Sequence, residues 1–102
     1  MKLEYVSQDE LQKQIKEIFK QVLGGSVYRL FFFGSRVKGN NFPRSDIDLG
    51  VEGESKLPSS LKLELEEKLQ NLPILYKIDL VDFKDVSGEF KKKALEKVEY
   101  FS

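Results

Sequence analysis

Two short stretches of this chain hold residue types suited to phosphate chemistry. Phe33-Gly34-Ser35 leaves an apolar run through a glycine. Lacking a Cβ, that glycine lets a phosphate approach its backbone N–H, and Ser35 adds a hydroxyl donor. After ten intervening residues comes Asp46-Ile47-Asp48. On a strand, residues i and i+2 face the same way, so the two carboxylates emerge about 7 Å apart at Cα, at about 3.3 Å per residue. They can then converge on one or two divalent cations; two-metal sites hold their ions about 3.5–4 Å apart, which such a pair can bridge. With no cation between them the anions repel, which raises one carboxyl pKa and opposes folding slightly. Taken singly, each stretch also has an ordinary explanation. A Gly-Ser after a strand is usually a turn, and D-x-D also describes an exposed strand edge.

Composition narrows the chemistry further. The chain has no cysteine and no histidine, which excludes disulfides, thiolate chemistry, imidazole ligation and a Ser-His triad. Any metal must therefore be held by oxygen, which favours Mg²⁺, Mn²⁺ or Ca²⁺. The 17 basic and 17 acidic residues cancel, so the net positive field of a non-specific nucleic-acid binder is missing, and nucleic acid is not the expected substrate. Lys91-Lys92-Lys93 falls in a helical pattern and reads as a solvated face. Met1-Lys2-Leu3-Glu4-Tyr5 lacks the apolar region of a signal peptide, and no apolar run reaches membrane-spanning length. A cytoplasmic location is expected. The 102 residues fit one domain, spanning 1–102, with one modest core.

The elements that must position these residues are readable from periodicity. Ser7-Gln8-Asp9-Glu10 has the form of a capping box, and Leu11, Ile15, Ile18, Phe19 and Val22 follow at helical spacing until Gly24-Gly25. Val27 to Phe33 suits a strand covered on both faces. From Gly34 to Ser45 the chain reads as loop, with one possible helical turn at 35–38. Strict alternation from Asp46 to Glu52 sets Asp46, Asp48, Gly50 and Glu52 on one face and Ile47, Leu49 and Val51 on the other. A second helix begins near Ser59 or Ser60 and ends before Pro73, carrying Leu61, Leu65 and Leu69. Ile74 to Phe83 reads as a third strand, and a third helix from about Ser87 carries Phe90, Ala94, Leu95 and Val98. The expected fold is α/β (α+β): a small mixed sheet flanked by helices.

Gly34-Ser35, ten residues, then Asp46-x-Asp48 resembles the signature of the polymerase-β-like nucleotidyltransferase superfamily. The string FFFGSRVKGNNFPRSDIDLGV is especially similar to the minimal nucleotidyltransferases found beside HEPN-domain proteins, the MntA antitoxins of HepT–MntA pairs among them. The resemblance covers nearly the whole chain and implies a palm-like core. It implies that Gly34 and Ser35 hold the β- and γ-phosphates of ATP, and that Asp46 and Asp48 bind Mg²⁺, with two ions expected. A third carboxylate on a neighbouring strand would complete the metal shell and accept the proton of the attacking hydroxyl. Asp79 fits, because it opposes the apolar face of Tyr76, Ile78 and Leu80; Asp82, three residues on, faces the other way. Arg36, Lys38 and Arg44 are candidates to steady the triphosphate, Arg36 and Lys38 ahead because they lie nearest the turn, while Ser45 either orients the first acid or merely begins the strand. Gly34 and Gly39 have Walker-A spacing, but Asn40-Asn41 replace the required Lys and Ser/Thr, so there is no P-loop.

The activity so implied is transfer of AMP from ATP to a hydroxyl, with a tyrosine of a cognate HEPN toxin as acceptor, an antitoxin role within a hetero-oligomer. Two rivals stand beside it: a small-molecule nucleotidyltransferase of the aminoglycoside-modifying type, and a non-catalytic nucleotide-binding subunit. Val98-Glu99-Tyr100-Phe101 offers apolar surface for a partner, although packing of Phe101 onto the chain's own core is the more ordinary outcome.

Overall fold

Ser7 opens the first helix as the sequence suggests. Its extended backbone lets Oγ accept the Glu10 N–H at 3.1 Å, satisfying one of the donors that a helix start leaves orphaned. Helix α1 (Gln8–Leu23) runs until Gly24, whose φ of 59° is a conformation that side chains resist. The computed structural model describes residues 3, 7–34, 36–37 and 46–102. Along them follow β1 (Tyr28–Phe33), β2 (Ile47–Gly53), α2 (Ser59–Gln70), β3 (Ile78–Asp82), α3 (Gly88–Ala94) and β4 (Glu99–Tyr100).

The strands form one mixed sheet in the order β3-β2-β1-β4, with β1 antiparallel to β2 and β4, and β2 parallel to β3. One face carries Leu30, Phe32, Ile47, Leu49, Val51, Ile78 and Leu80, packed beneath the apolar stripes of α1 and α2. Phe31, Phe33, Phe83 and Ala94 make a smaller aromatic cluster on the other face, under α3. Residues 30–33 of β1 are buried on both sides, which explains their unbroken apolar run. Gly50 is the complement of that run. A Cβ there would come within 2.4 Å of the Phe31 ring and 2.9 Å of Phe83, so the aromatic cluster needs the bare glycine.

Three expectations change. The third strand begins at Ile78 rather than Ile74, because residues 74–76 run as a bend in which Tyr76 is buried. The third helix stops at Ala94 and does not reach Val98, which packs against the aromatic cluster from beyond it. The fourth strand was not expected at all. It closes the β1 edge through Phe31–Tyr100 and Phe32–Glu99 pairing, and the Phe101 N–H donates to the Leu30 carbonyl at 3.0 Å. Phe101 stacks on Phe32 with centroids 4.5 Å apart, the self-packing outcome for that aromatic.

Candidate active site

The site lies where β1 ends and where β2 and β3 begin. Register places Phe33 opposite Asp48, and Asp48 beside Asp79 on the parallel neighbour, so all three point to the face that α3 partly covers. Gly34 turns the chain away from β1 with φ 86°. A Cβ on it would lie 2.0 Å from Asp48 Oδ2; the carboxylate therefore occupies the space that any other residue would fill. The positive φ favours glycine here, and a Cβ would in addition push the Asp48 carboxylate aside.

The electrostatics follow from this crowding. Burial, then the neighbouring charges of Asp79 and Asp46, push the Asp48 carboxyl up from 3.8 to about 6. Asp46 and Asp79 are exposed while Asp48 is half-buried between them. The three acids expected from sequence are therefore electrostatically one cluster. Asp82 lies on the opposite face and is 4% exposed. Its Oδ2 accepts the Leu57 N–H at 2.8 Å and its Oδ1 the Lys84 N–H at 3.0 Å. Both oxygens are thus committed to holding the segment after β2 against the end of β3.

Arg36 is 3% exposed, with its guanidinium 4.4 Å from the centre of the Tyr76 ring. That stack ties the segment after Gly34 to the segment leading into β3, alongside the 2.9 Å bond from the Ile47 N–H to the Lys77 carbonyl. Arg36 and Val37 lie in a turn. Ser35, Lys38, Arg44 and Ser45 lie outside the described residues. Of the lysine run, Lys91 pairs with Glu52 on β2.

The oxygens that Asp46, Asp48 and Asp79 bring together are carboxylates, and their mutual repulsion suits a hard divalent cation. Among the described residues no three acidic side chains are drawn tightly enough to cage an ion as they stand. The chemistry of the donor set fits; closure around an ion would require the carboxylates to draw together.

A cleft of about 220 Å³ opens beside Gly34, lined by Phe33, Gly34, Phe90, Lys93 and Ala94. Sequence periodicity sets Phe90 in register with Ala94, Leu95 and Val98, but its ring is 43% exposed. Neither Phe90 nor Lys93 stands out in the sequence as functional, because a seven-residue helix carries too little pattern to separate a core residue from a cleft wall. A second cavity of about 220 Å³, between residues 26–28 and 53–58, lies at the far end of β2, about 17 Å from Asp48 at about 3.3 Å per residue.

A family model described as polymerase beta, nucleotidyltransferase, matches residues 13–100. A Haemophilus influenzae protein named as a protein adenylyltransferase, MntA, is 31% identical over 78 residues, covering 76% of this chain and 67% of its own length. A Methanocaldococcus jannaschii relative, likewise named as a protein adenylyltransferase, is 36% identical over 89 residues, covering 85% of this chain and 86% of its own. Among solved structures, a toxin–antitoxin structure with AMP-PNP superposes with a TM-score of 0.71 at 22% identity, covering 87% of this chain and 70% of that one. A tri-AMPylated Shewanella oneidensis HEPN toxin in complex with an MNT antitoxin gives 0.68 at 19% identity, covering 92% and 71%. At those identities the structural matches establish the fold.

Proposed function

Because this chain belongs to the polymerase β nucleotidyltransferase family, we propose that it transfers AMP from magnesium-bound ATP to a tyrosine hydroxyl of a HEPN-type partner, silencing that partner. The observation that carries the reading is the register that sets Asp79 beside Asp48 on the face where Gly34 leaves room for the Asp48 carboxylate. Relatives named as protein adenylyltransferases, and a fold shared with toxin–antitoxin structures, support the choice of acceptor.

In this reading Asp79 has two tasks and each other residue one. The backbone N–H groups at Gly34 and Ser35 receive the β- and γ-phosphates. Asp46 and Asp48 hold Mg²⁺, with Asp79 completing the set; bound there, the ions would offset charge on the transferring phosphoryl group and on the leaving pyrophosphate. Asp79 accepts the proton as the acceptor oxygen bonds to the α-phosphorus and the α–β bridge breaks, releasing pyrophosphate. A tyrosine suits this step, since its pKa of about 10 makes it a readier proton donor than an aliphatic alcohol. The residues do this by holding reactants in place and balancing charge, and no histidine is required.

The test is incubation with ATP, Mg²⁺ and the product of a neighbouring HEPN gene, followed by mass spectrometry. An AMP increment on a partner tyrosine that is lost with Asp46→Asn supports the proposal. Modification of free aminoglycosides alone would leave the chemistry and remove the partner. Nucleotide binding without any transfer would identify a non-catalytic subunit.

A further inference from the structure

Apart from Gly34, the walls of the cleft are used by none of the chemistry above. Phe33 is directly opposite Asp48 in the sheet, and Phe90 stands edge-on to it, with centroids 6.2 Å apart. Beneath them Phe83 braces both rings, at 5.1 Å from Phe33 and 5.9 Å from Phe90. A ring left 43% exposed at the lip of an apolar cleft costs hydrophobic free energy when nothing covers it. Among the described residues Lys93 supplies the cation in the lining, and Gly34 belongs both to the cleft and to the phosphate turn. We infer that the cleft between Phe33 and Phe90 is the nucleobase subsite, taking the flat ring of the same nucleotide whose phosphates Gly34 receives. The inference rests on the nucleotidyltransferase reading.

Three features choose this occupant over the acceptor's phenol ring. Asp79, the proton acceptor, is on β3, and β2 separates it from β1; two strand spacings put it about 10 Å from the cleft at about 4.8 Å each. A phenol seated by Phe33 would be too far away to give up its proton. A nucleobase has no such requirement, since its α-phosphate needs only to reach Asp48, one strand away. Aromatic walls with the Lys93 cation also complement a flat ring carrying an anionic tail, whereas a neutral tyrosine has no use for Lys93. Finally, about 220 Å³ is better filled by the two rings of a purine than by one.

Isothermal titration calorimetry on the whole chain separates the subsite from the phosphate cradle, with Mg-ATP and Mg-tripolyphosphate as the two titrants. Phe90→Ala should weaken ATP about 5- to 100-fold, the range that loss of one base–aromatic stack produces, and leave tripolyphosphate within about twofold. Phe90→Leu keeps apolar bulk against Phe33 and Phe83 and should show a smaller but still ATP-selective loss; Phe90→Trp should restore ATP binding. Equal loss for both titrants, or loss for neither, overturns the assignment. So does unchanged ATP affinity accompanied by a raised KM for the protein acceptor, which would make the cleft the acceptor's seat. If the wild-type chain binds neither titrant, the nucleotidyltransferase reading itself falls, an outcome distinct from failure of the subsite alone.

Discussion

Replacing Asp48 by asparagine should make the metal-free protein more stable at neutral pH. The carboxyl is pushed from 3.8 to about 6, first by burial and then by the charges of Asp79 and Asp46. A raised carboxyl pKa means that the folded state resists ionisation, so the penalty is complete above pH 6, where the group is charged both folded and unfolded. It shrinks as pH falls from about 6 to 3.8, and is gone below, where both states are protonated. At about 1.4 kcal/mol per tenfold in acidity the ceiling is about 3 kcal/mol. Asp48 is only half-buried, and solvent screening reduces the expected gain to about 1–2 kcal/mol. Asparagine keeps the shape and removes the charge, so little else changes. For a chain of this length each kcal/mol moves Tm by about 4–8 °C. Thermal melts in EDTA at pH 8, 5 and 3.5 should therefore show the variant melting higher at pH 8, with the gap narrowing at pH 5 and closed at pH 3.5. Adding Mg-ATP at pH 8 should raise the wild-type Tm and leave the variant's unmoved. A variant less stable than wild type at pH 8, or a gap that persists to pH 3.5, would refute the crowded-anion account of this site.

Gly34→Ala should cost at least about 1–2 kcal/mol from its positive φ alone, and the collision with the Asp48 carboxylate should add a loss of Mg-ATP affinity, read by calorimetry. Asp79→Asn should abolish AMP transfer with little change in urea midpoint. Asp82→Ala should do the reverse, lowering stability by about 1–3 kcal/mol by orphaning the Leu57 and Lys84 N–H groups while each folded molecule still transfers AMP. Chelation by EDTA should stop transfer, and Mg²⁺ or Mn²⁺ should restore it.

Alternation alone sorted the acids. A period of two puts Asp46 and Asp48 on one face and separates Asp79 from Asp82, and neither statement needs a partner strand. The absence of His and Cys limits any ligand set to oxygen, and Ser7 marks the first helix start through contacts within one turn. These are local properties, carried by residues within a few positions of one another. What brings Asp79 beside Asp48 is the parallel pairing of β2 with β3, across a crossover through α2. No short-range pattern encodes that register; it is set where Ile47, Leu49, Ile78 and Leu80 pack together under the helices. The Arg36–Tyr76 stack, the two-residue β4 on the β1 edge and the Phe33–Phe90 cleft have the same origin. Each joins segments distant in sequence, and the burial free energy that favours them depends on area removed from water and not on position in the chain.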